Sequence, residues 1–446
     1  MKYILLTLLF VSMSFSARKW TNGFEMWGNN TNPGSKLLMG FPAPDGWTYG
    51  GFGGVASIQG TGLTRGAVGQ CAQFNSGSTI DFASYRNYVR RDSLNISGAC
   101  YVRAWIYVST LNLPGSAPAN MVTLVSQSGA NSVALYLLQN GKLGLNVDGT
   151  MVDTSNSAMT NNQWRVVQIY TNWLTSGATT TIAIDGDTLR HYSGALGGAA
   201  DKIFYLYVGW ATAGVTNGLG SSLTMHADDI AVNDSLGSYE NSAPDDSAFV
   251  FYIPAASDTA RGGWNGGAGG TTSLYDAVNN LPQLGDSIAE TNSTNVYDTT
   301  NSASDNLDVS VSSYNTFGVP AGKTLRLVQA VARHGEDVSA GTKAGAVKLV
   351  SNPADAGEVT FTYGQDRANR HAKDSYGGNV DVTLYWYTSY GDPVYAPSVN
   401  RSDRPVVRVG KRTATTAKVC VDMMGLQGEY GSAFAGSSGW KRIIKQ

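Results

Sequence analysis

Acidic residues are the first candidates for chemistry in this sequence, and their spacing argues against glycoside hydrolysis. A glycosidase needs two carboxyl groups that flank the sugar linkage, roughly 5–9 Å apart. Residues 1–245 contain glutamate only at Glu25 and Glu240, and both lie in loop-like segments. The GxSxG motif of a nucleophilic serine is also missing from the sequence. We therefore predict a protein that is not an enzyme.

Aspartates near turns are candidate ligands for Ca²⁺, the one cofactor that the sequence suggests. Calcium binds several hard oxygen atoms, such as those of aspartate side chains. Asp228 and Asp229 follow each other on a late strand, and Asp185 and Asp187 flank a glycine. Adjacent residues on a strand point to opposite faces, so at most one member of the first pair faces a given ligand. The alternative for the second pair is a purely structural role in a turn.

Three aromatic residues are candidates for carbohydrate binding. Trp173, Trp210 and Tyr136 lie in or beside predicted strands. An aromatic ring can stack on the apolar face of a sugar while neighbouring polar groups fix its hydroxyls. Burial in the hydrophobic core is the alternative for each of them, because burying a large ring stabilises a fold by a few kcal/mol.

Cysteine and histidine spacing predicts neither a metal site nor a disulfide framework. The three cysteines are Cys71, Cys100 and Cys420, and no CxxC pair occurs. Pairing of Cys71 with Cys100 and burial of both as free thiols remain open alternatives. None of the four histidines has metal-ligand spacing from another histidine or a cysteine: His191, His226, His334 and His371.

Composition indicates an all-β protein. Charged residues make up only 14% of the 446 residues, and glycine occurs 53 times. Such a composition suits short strands joined by polar turns. The formal net charge of −2 does not fit a nucleic-acid-binding protein, which needs clustered basic residues. We interpret the one local basic run, residues 401–412, as charges at the ends of strands.

Strand and turn patterns divide the chain into two β units. Regularly spaced alternating segments with turns such as Asn140-Gly141 predict a sandwich or barrel over residues 17–245. A second β-rich domain with long polar loops is predicted over residues 246–424. The glycine- and serine-rich residues 425–446 are predicted to form a flexible tail.

The N-terminus permits two interpretations. Residues 1–16 carry one lysine and an apolar run that ends in small residues, which is typical of a secretory signal. This run is too short for a comfortable membrane span. Alternatively, translation starts at Met13 and the upstream segment is not made.

Residues 99–242 resemble the concanavalin A-like, or laminin-G-like, jelly roll. The resemblance lies in the ordered segments ACYVRAWIYV, VALYLLQNGKLGLNVDG, NNQWRVVQIY, TTIAIDGDTL and ADDIAVNDSLGSYEN. It implies an all-β fold with an N-terminal jelly-roll β-sandwich followed by a second, smaller β domain. Residues 17–27 and 234–336 also resemble tailed-phage virion proteins that carry such a jelly roll. In those proteins the segment that resembles residues 17–27 lies close to the initiator methionine. The resemblance therefore favours Met13 as the start of translation.

The resemblance implies a non-catalytic bacteriophage virion protein, used in structure or decoration of the capsid or tail and made in the host cytoplasm. Its expected partners are other virion proteins, further copies of itself and host-surface glycans. The alternative is a secreted carbohydrate-binding lectin or adhesin, which the signal-like N-terminus favours. A glycoside hydrolase is the third interpretation.

Overall fold

The computed structural model describes the chain in segments that are almost entirely β-structure. These are residues 17–25, 55–60, 64–65, 69–75, 87–91, 94–109, 118–210, 224–237, 239–266, 273–279, 296–298, 300, 302–336, 345–361, 366–370, 385–396, 399–414 and 419–432. The two interpretations of residues 1–16 therefore lie outside the described residues. The all-β fold class predicted from the sequence is confirmed. No helix in the described segments has the length and apolar character needed to cross a membrane.

Fourteen strands in the described segments form the first unit, a sandwich of two antiparallel sheets. They are β1 (Arg18–Asn22), β2 (Val55–Gly60), β3 (Gln70–Asn75), β4 (Asn87–Arg91), β5 (Ala99–Val108), β6 (Ala119–Ser126), β7 (Ser132–Leu137), β8 (Lys142–Val147), β9 (Thr150–Ala158), β10 (Trp164–Asn172), β11 (Ala178–Ile184), β12 (Asp187–Gly194), β13 (Ile203–Trp210) and β14 (Thr224–Asp234), with a 3₁₀ turn at Gly198–Ala200. An eight-stranded sheet has the order β12-β11-β10-β5-β14-β3-β2, with β1 also paired to β14. A six-stranded sheet has the order β4-β13-β6-β7-β8-β9.

The two sheets close on a hydrophobic core because their strands alternate in character. Every second residue of β5 from Cys100 to Val108 is buried in this core. Every second residue of β7 from Val133 to Leu137 enters it from the opposite sheet. Full burial of such side chains contributes about 1.5–3 kcal/mol each. Cys71 and Cys100, whose pairing the sequence left open, are buried free thiols.

Twelve strands and two one-turn helices form the second unit. They are β15 (Phe249–Ala260), β16 (Asn265–Gly266), α1 (Tyr275–Val278), β17 (Val296–Asp298), β18 (Asn306–Val311), α2 (Tyr314–Phe317), β19 (Thr324–Glu336), β20 (Gly345–Ser351), β21 (Val359–Thr360), β22 (Asp366–Arg370), β23 (Tyr385–Tyr390), β24 (Val394–Tyr395), β25 (Val406–Lys411) and β26 (Val419–Gly431). The main path of the sheet is β21-β20-β25-β18-β15-β26-β19-β23-β22. Strand β15 pairs with β26 along its first half and with β18 along its second half, so the sheet bends around its own core.

Strand β26 corrects the prediction of a flexible tail that begins at residue 425. Residues 425–431 form the second half of this strand, between β15 and β19. Its glycines are needed for close packing, since a Cβ atom at Gly425 would collide with Tyr252 and one at Gly428 would collide with Phe251. The glycine content that suggested a loose tail is therefore a requirement of a buried strand.

A buried ionic network joins the two units. Arg18 in β1 lies 2.9 Å from Glu240 and 2.5 Å from Glu429 in β26. Arg103 in β5 lies 3.2 Å from Glu429, and Arg326 in β19 lies 2.8 Å from Glu240. Burial alone would raise the pKa of Glu429, but the guanidiniums of Arg103, Arg18 and Arg326 lower it to about 2. The buried charges of this ionic network are therefore paired with opposite charges.

Candidate functional site

Strand alternation places three tyrosines on the outward face of the six-stranded sheet. Tyr136 lies between two leucines of β7 that face the core, so its side chain points away from the core. Tyr205 and Tyr207 alternate with core residues of β13 in the same way. The rings of this last pair have centroids 6.2 Å apart. All three tyrosines are half-buried, which leaves part of each ring accessible.

A β-bulge in β6 adds two polar side chains to this face. Asn120 and Thr123 are three residues apart, so a regular strand would point them to opposite sides. The pairing register shifts between Asn120 and Val122, and this irregularity turns both side chains outward. Asn120 then lies opposite Tyr136 on β7, and Thr123 lies opposite Ala134.

Hydrogen bonds connect these side chains. The Thr123 hydroxyl donates to Oδ1 of Asn120 at 2.5 Å. Burial raises the pKa of Tyr136, while a hydrogen bond from the Asn120 amide to the phenolic oxygen opposes that rise. The net effect is a raised pKa, so Tyr136 holds its proton at neutral pH. A protonated phenol can donate a hydrogen bond to a ligand.

Short side chains lie beside the tyrosine rings on this face. One row of cross-strand partners runs through Tyr207, Thr123, Ala134 and Asn146, on four adjacent strands. Asn120, Thr123 and Asn146 are only 3%, 6% and 7% exposed. Their polar groups therefore lie deeper than the half-buried rings beside them.

We call this surface the tyrosine–asparagine face and define it by Asn120, Thr123, Tyr136, Asn146, Tyr205 and Tyr207. Its amides and hydroxyls both donate and accept hydrogen bonds, its rings offer apolar surface, and none of the six side chains carries a formal charge at neutral pH. Of these six residues, only Tyr136 was predicted from the sequence as a binding residue. The alternation in β13 was a usable signal for the other two tyrosines, whereas the bulge in β6 has no signature in the sequence.

The other two predicted sugar-binding aromatics do not join this face. Trp173 is fully buried in the sandwich core, and its indole N–H donates to the backbone oxygen of Asp201 at 2.6 Å. The prediction that Trp173 stacks on a sugar is therefore wrong, because no ligand reaches a ring with no exposed surface. The side chain of Trp210, in β13, lies outside the described residues.

Asp228 and Asp229, predicted as Ca²⁺ ligands, are buried at a bulge in β14. The register shifts between Asp228 and Ala231, and Asp229 adopts a positive φ of 46°. The Asp229 carboxylate lies 2.5 Å from the Arg65 guanidinium and accepts a hydrogen bond of 2.6 Å from the Val250 backbone N–H. Burial raises the pKa of both aspartates. The Asp229 oxygens are thus engaged by protein groups.

Asp185, the third predicted ligand, performs the turn role that was its alternative. It has a φ of 51° and accepts hydrogen bonds from the Val166 backbone N–H at 3.0 Å and from Arg165 at 2.5 Å. The side chain of Asp187 lies outside the described residues. Among the described residues, no three acidic, histidine or cysteine side chains come together as a metal site. Calcium binding stays a prediction.

No family model and no curated protein matches this chain. Solved structures resemble part of it. An endo-β-1,4-glucuronan lyase from the fungus Trichoderma reesei is 13% identical over 45% of this chain and 95% of its own, with a TM-score of 0.32. An alginate lyase of polysaccharide lyase family 7 is 13% identical over 45% of this chain and 92% of its own, with a TM-score of 0.26. A Trypanosoma rangeli sialidase is 11% identical over 43% of this chain and 28% of its own, with a TM-score of 0.29.

These neighbours correct two predictions made from the sequence. They are carbohydrate-active enzymes, so they contradict the prediction of a non-catalytic phage virion protein and the prediction that the chain is not an enzyme. Neither prediction is retained. The activities belong to those proteins, and the likeness to this chain is one of β-sandwich fold.

Proposed function

We propose that this protein binds a glycan chain across the tyrosine–asparagine face. The observation that carries the proposal is the buried polar pair Asn120 and Thr123, on the strand between those of Tyr136 and Tyr207. Asn146 extends the polar surface on the strand beyond Tyr136. A sugar presents hydroxyls at its edges and C–H groups on its faces, and such a surface complements both. The proposal agrees with the carbohydrate-binding alternative drawn from the sequence.

The composition of the face sets the expected mode of binding. Its six defining side chains bear no formal charge at neutral pH, so hydrogen bonds and ring stacking must supply the affinity. Such contacts are screened little by salt, in contrast to ion pairs between exposed groups. We expect the affinity for a bound polysaccharide to change little as the salt concentration rises.

The test is affinity measurement by calorimetry with the full chain and a panel of soluble polysaccharides. Tyr136→Ala and Tyr207→Ala should each lower affinity about tenfold, because a stacked aromatic side chain is a typical binding hot spot. Tyr101→Ala is the matched control, since Tyr101 is a half-buried tyrosine that points outward from the eight-stranded sheet, against Tyr170. Equal loss in all three variants, or no binding to any polysaccharide, would contradict the proposal.

We further propose that the bound chain is hydrolysed on this face. Tyr136 passes its proton to the glycosidic oxygen as the bond from that oxygen to the anomeric carbon breaks, and a water molecule adds its hydroxyl to that carbon and returns its proton to the Tyr136 oxygen. The Tyr136 hydroxyl stays protonated at neutral pH because burial raises its pKa, and the residue lies opposite Asn120 on the neighbouring strand. A positioned acid that protonates the leaving oxygen typically accelerates such a reaction by about 10²–10⁴-fold.

Tyr136→Phe separates cleavage from binding because it keeps the ring and removes the proton. We expect Tyr136→Phe to produce no new reducing ends from the polysaccharide. Its affinity for the polysaccharide should stay within a few fold of that of the unchanged protein. Cleavage that persists in Tyr136→Phe would overturn the role of this hydroxyl and leave the binding proposal standing.

A further inference from the structure

The basic run at residues 401–412 contains four arginines, and three of their side chains bind other groups of the protein. Arg408 makes two hydrogen bonds to one aspartate at 2.6 and 2.7 Å. Arg412 contacts a glutamate at 2.5 Å. Arg401 donates to three backbone carbonyls at 2.9, 2.5 and 3.0 Å. Within the described part of the chain, Arg404 has neither an ion pair nor a side-chain hydrogen bond, and it is exposed. One guanidinium of this run is left available for a ligand.

Arg404 lines a cavity of about 540 Å³ in the second unit. One wall is the segment 351–353, and the other is formed by Val399, Asn400, Asp403 and Arg404. The volume lies within the range of about 300–1,000 Å³ that is usual for small-ligand sites. Pro353 and Val399 supply apolar surface, and the remaining lining is polar.

Hydrogen bonds fix the two walls against each other. The Asn352 side-chain amide donates to the backbone oxygens of Asn400 at 3.1 Å and Asp403 at 3.0 Å. The Asn400 side-chain oxygen accepts from the backbone N–H of Ser402 at 3.2 Å. Arg401, in the same loop as Asn400 and Asp403, donates hydrogen bonds to backbone carbonyls at residues 320 and 323. A cavity held in this way needs little reorganisation to bind a ligand.

Two charged side chains of the cavity, those of Asp403 and Arg404, take no part in the hydrogen bonds between its walls. Asp403 is exposed like Arg404, and neither makes a side-chain hydrogen bond or an ion pair with a described residue. The cavity thus offers a guanidinium fork, a carboxylate acceptor and a small apolar surface. A guanidinium binds a carboxylate through two parallel hydrogen bonds, whereas a carboxylate accepts hydrogen bonds from neighbouring hydroxyls.

We propose that this cavity binds an acidic sugar residue, with Arg404 on its carboxylate and Asp403 on its hydroxyls. Pro353 and Val399 contact the C–H face of the ring. The site is separate from the tyrosine–asparagine face and uses none of its residues. Its ligand is therefore selected by charge, whereas the proposed glycan on the sandwich is bound by uncharged groups.

The experiment compares glucuronate with glucose and galacturonate with galactose, because each pair differs only at C6, where a carboxylate replaces a hydroxymethyl group. Titrations of the full chain are followed by ligand-observed NMR. We expect at least one uronate to bind about tenfold or more tightly than its neutral partner. Arg404→Gln should abolish this preference, and Asp403→Asn should weaken the uronate as well.

Arg261→Gln is the matched control, since Arg261 is an exposed arginine outside the cavity that pairs with Asp258. It should leave uronate affinity unchanged, as should Tyr136→Ala on the other site. Circular dichroism of each variant verifies the fold. The proposal is overturned if no uronate binds, if uronate and neutral sugar bind equally, or if a folded Arg404→Gln variant keeps the preference. Loss of polysaccharide binding in Tyr136→Ala with uronate binding intact separates the two sites.

Discussion

Arg18 in the first strand and Glu429 in the last strand form an ion pair of 2.5 Å with no exposed surface on either side chain. The pair links residues 411 positions apart in the sequence. This ion pair therefore connects the two units of the molecule. Glu240, Arg103 and Arg326 belong to the same buried ionic network. Removal of one partner therefore leaves an uncompensated charge in the interior.

Glu429→Ala should lower the free energy of unfolding by about 3–5 kcal/mol, the usual cost of breaking a buried ion pair from one side. Urea denaturation of the full chain gives the value. Asp355→Ala is the control, because Asp355 pairs with Lys348 while 63% exposed. The control should change stability by less than about 1 kcal/mol, as is typical of surface pairs. A small change in the free energy of unfolding of Glu429→Ala would mean that water reaches the buried ionic network.

Glu25 should make stability fall as pH rises. Burial raises its pKa to about 8, although the Gln70 backbone N–H, which donates to Glu25 at 2.8 Å, opposes the shift. The folded protein thus holds a proton that the unfolded chain releases above about pH 4.5. The stability that Glu25 contributes is fully present below that pH and is lost as pH rises through about 8.

Glu25→Gln mimics the protonated side chain at every pH. We expect this variant to be more stable than the unchanged protein by on the order of 5 kcal/mol near pH 9 and equally stable near pH 4. Urea denaturation across this range measures the difference. A Glu25→Gln curve parallel to that of the unchanged protein would contradict the raised pKa.

Trp173→Phe should reduce stability without affecting glycan binding. The ring of Trp173 is fully buried, and its N–H bonds to a backbone oxygen. Loss of ring volume together with an unsatisfied carbonyl should cost about 1–4 kcal/mol. Thermal unfolding and polysaccharide affinity are measured on the same sample. A selective loss of affinity in a protein of unchanged stability would restore the sugar-binding role that the structure excludes.

The thiols of Cys71 and Cys100 should be unreactive in the folded protein. Both are buried, and burial raises the pKa of each thiol above its ordinary value, so the nucleophilic thiolate is scarce. We expect alkylation at pH 8 only after unfolding in urea, with no need for a reductant. Mass spectrometry of the two peptides resolves them individually. A reductant requirement would reveal a disulfide.

Strand alternation made much of the sandwich predictable from the sequence. Segments such as β5 and β7 bury every second side chain, and this period of two is visible in the residue order itself. Turn residues such as Asp185, with its positive φ, likewise reveal their role through local chemistry. Local rules failed at β26, where glycines serve a packing requirement set by Tyr252 and Phe251 on another strand.

The sequence by itself determined the all-β class, the alternating strands and the candidacy of Tyr136. The tertiary structure decided that Trp173 is core, that Asn120 and Thr123 share a face, and that Arg404 alone of its basic run lacks a described side-chain partner. The physical reason is the range of the interactions. Alternation and turns depend on neighbours along the chain, whereas burial, bulge register and ion pairing depend on residues that only folding brings together.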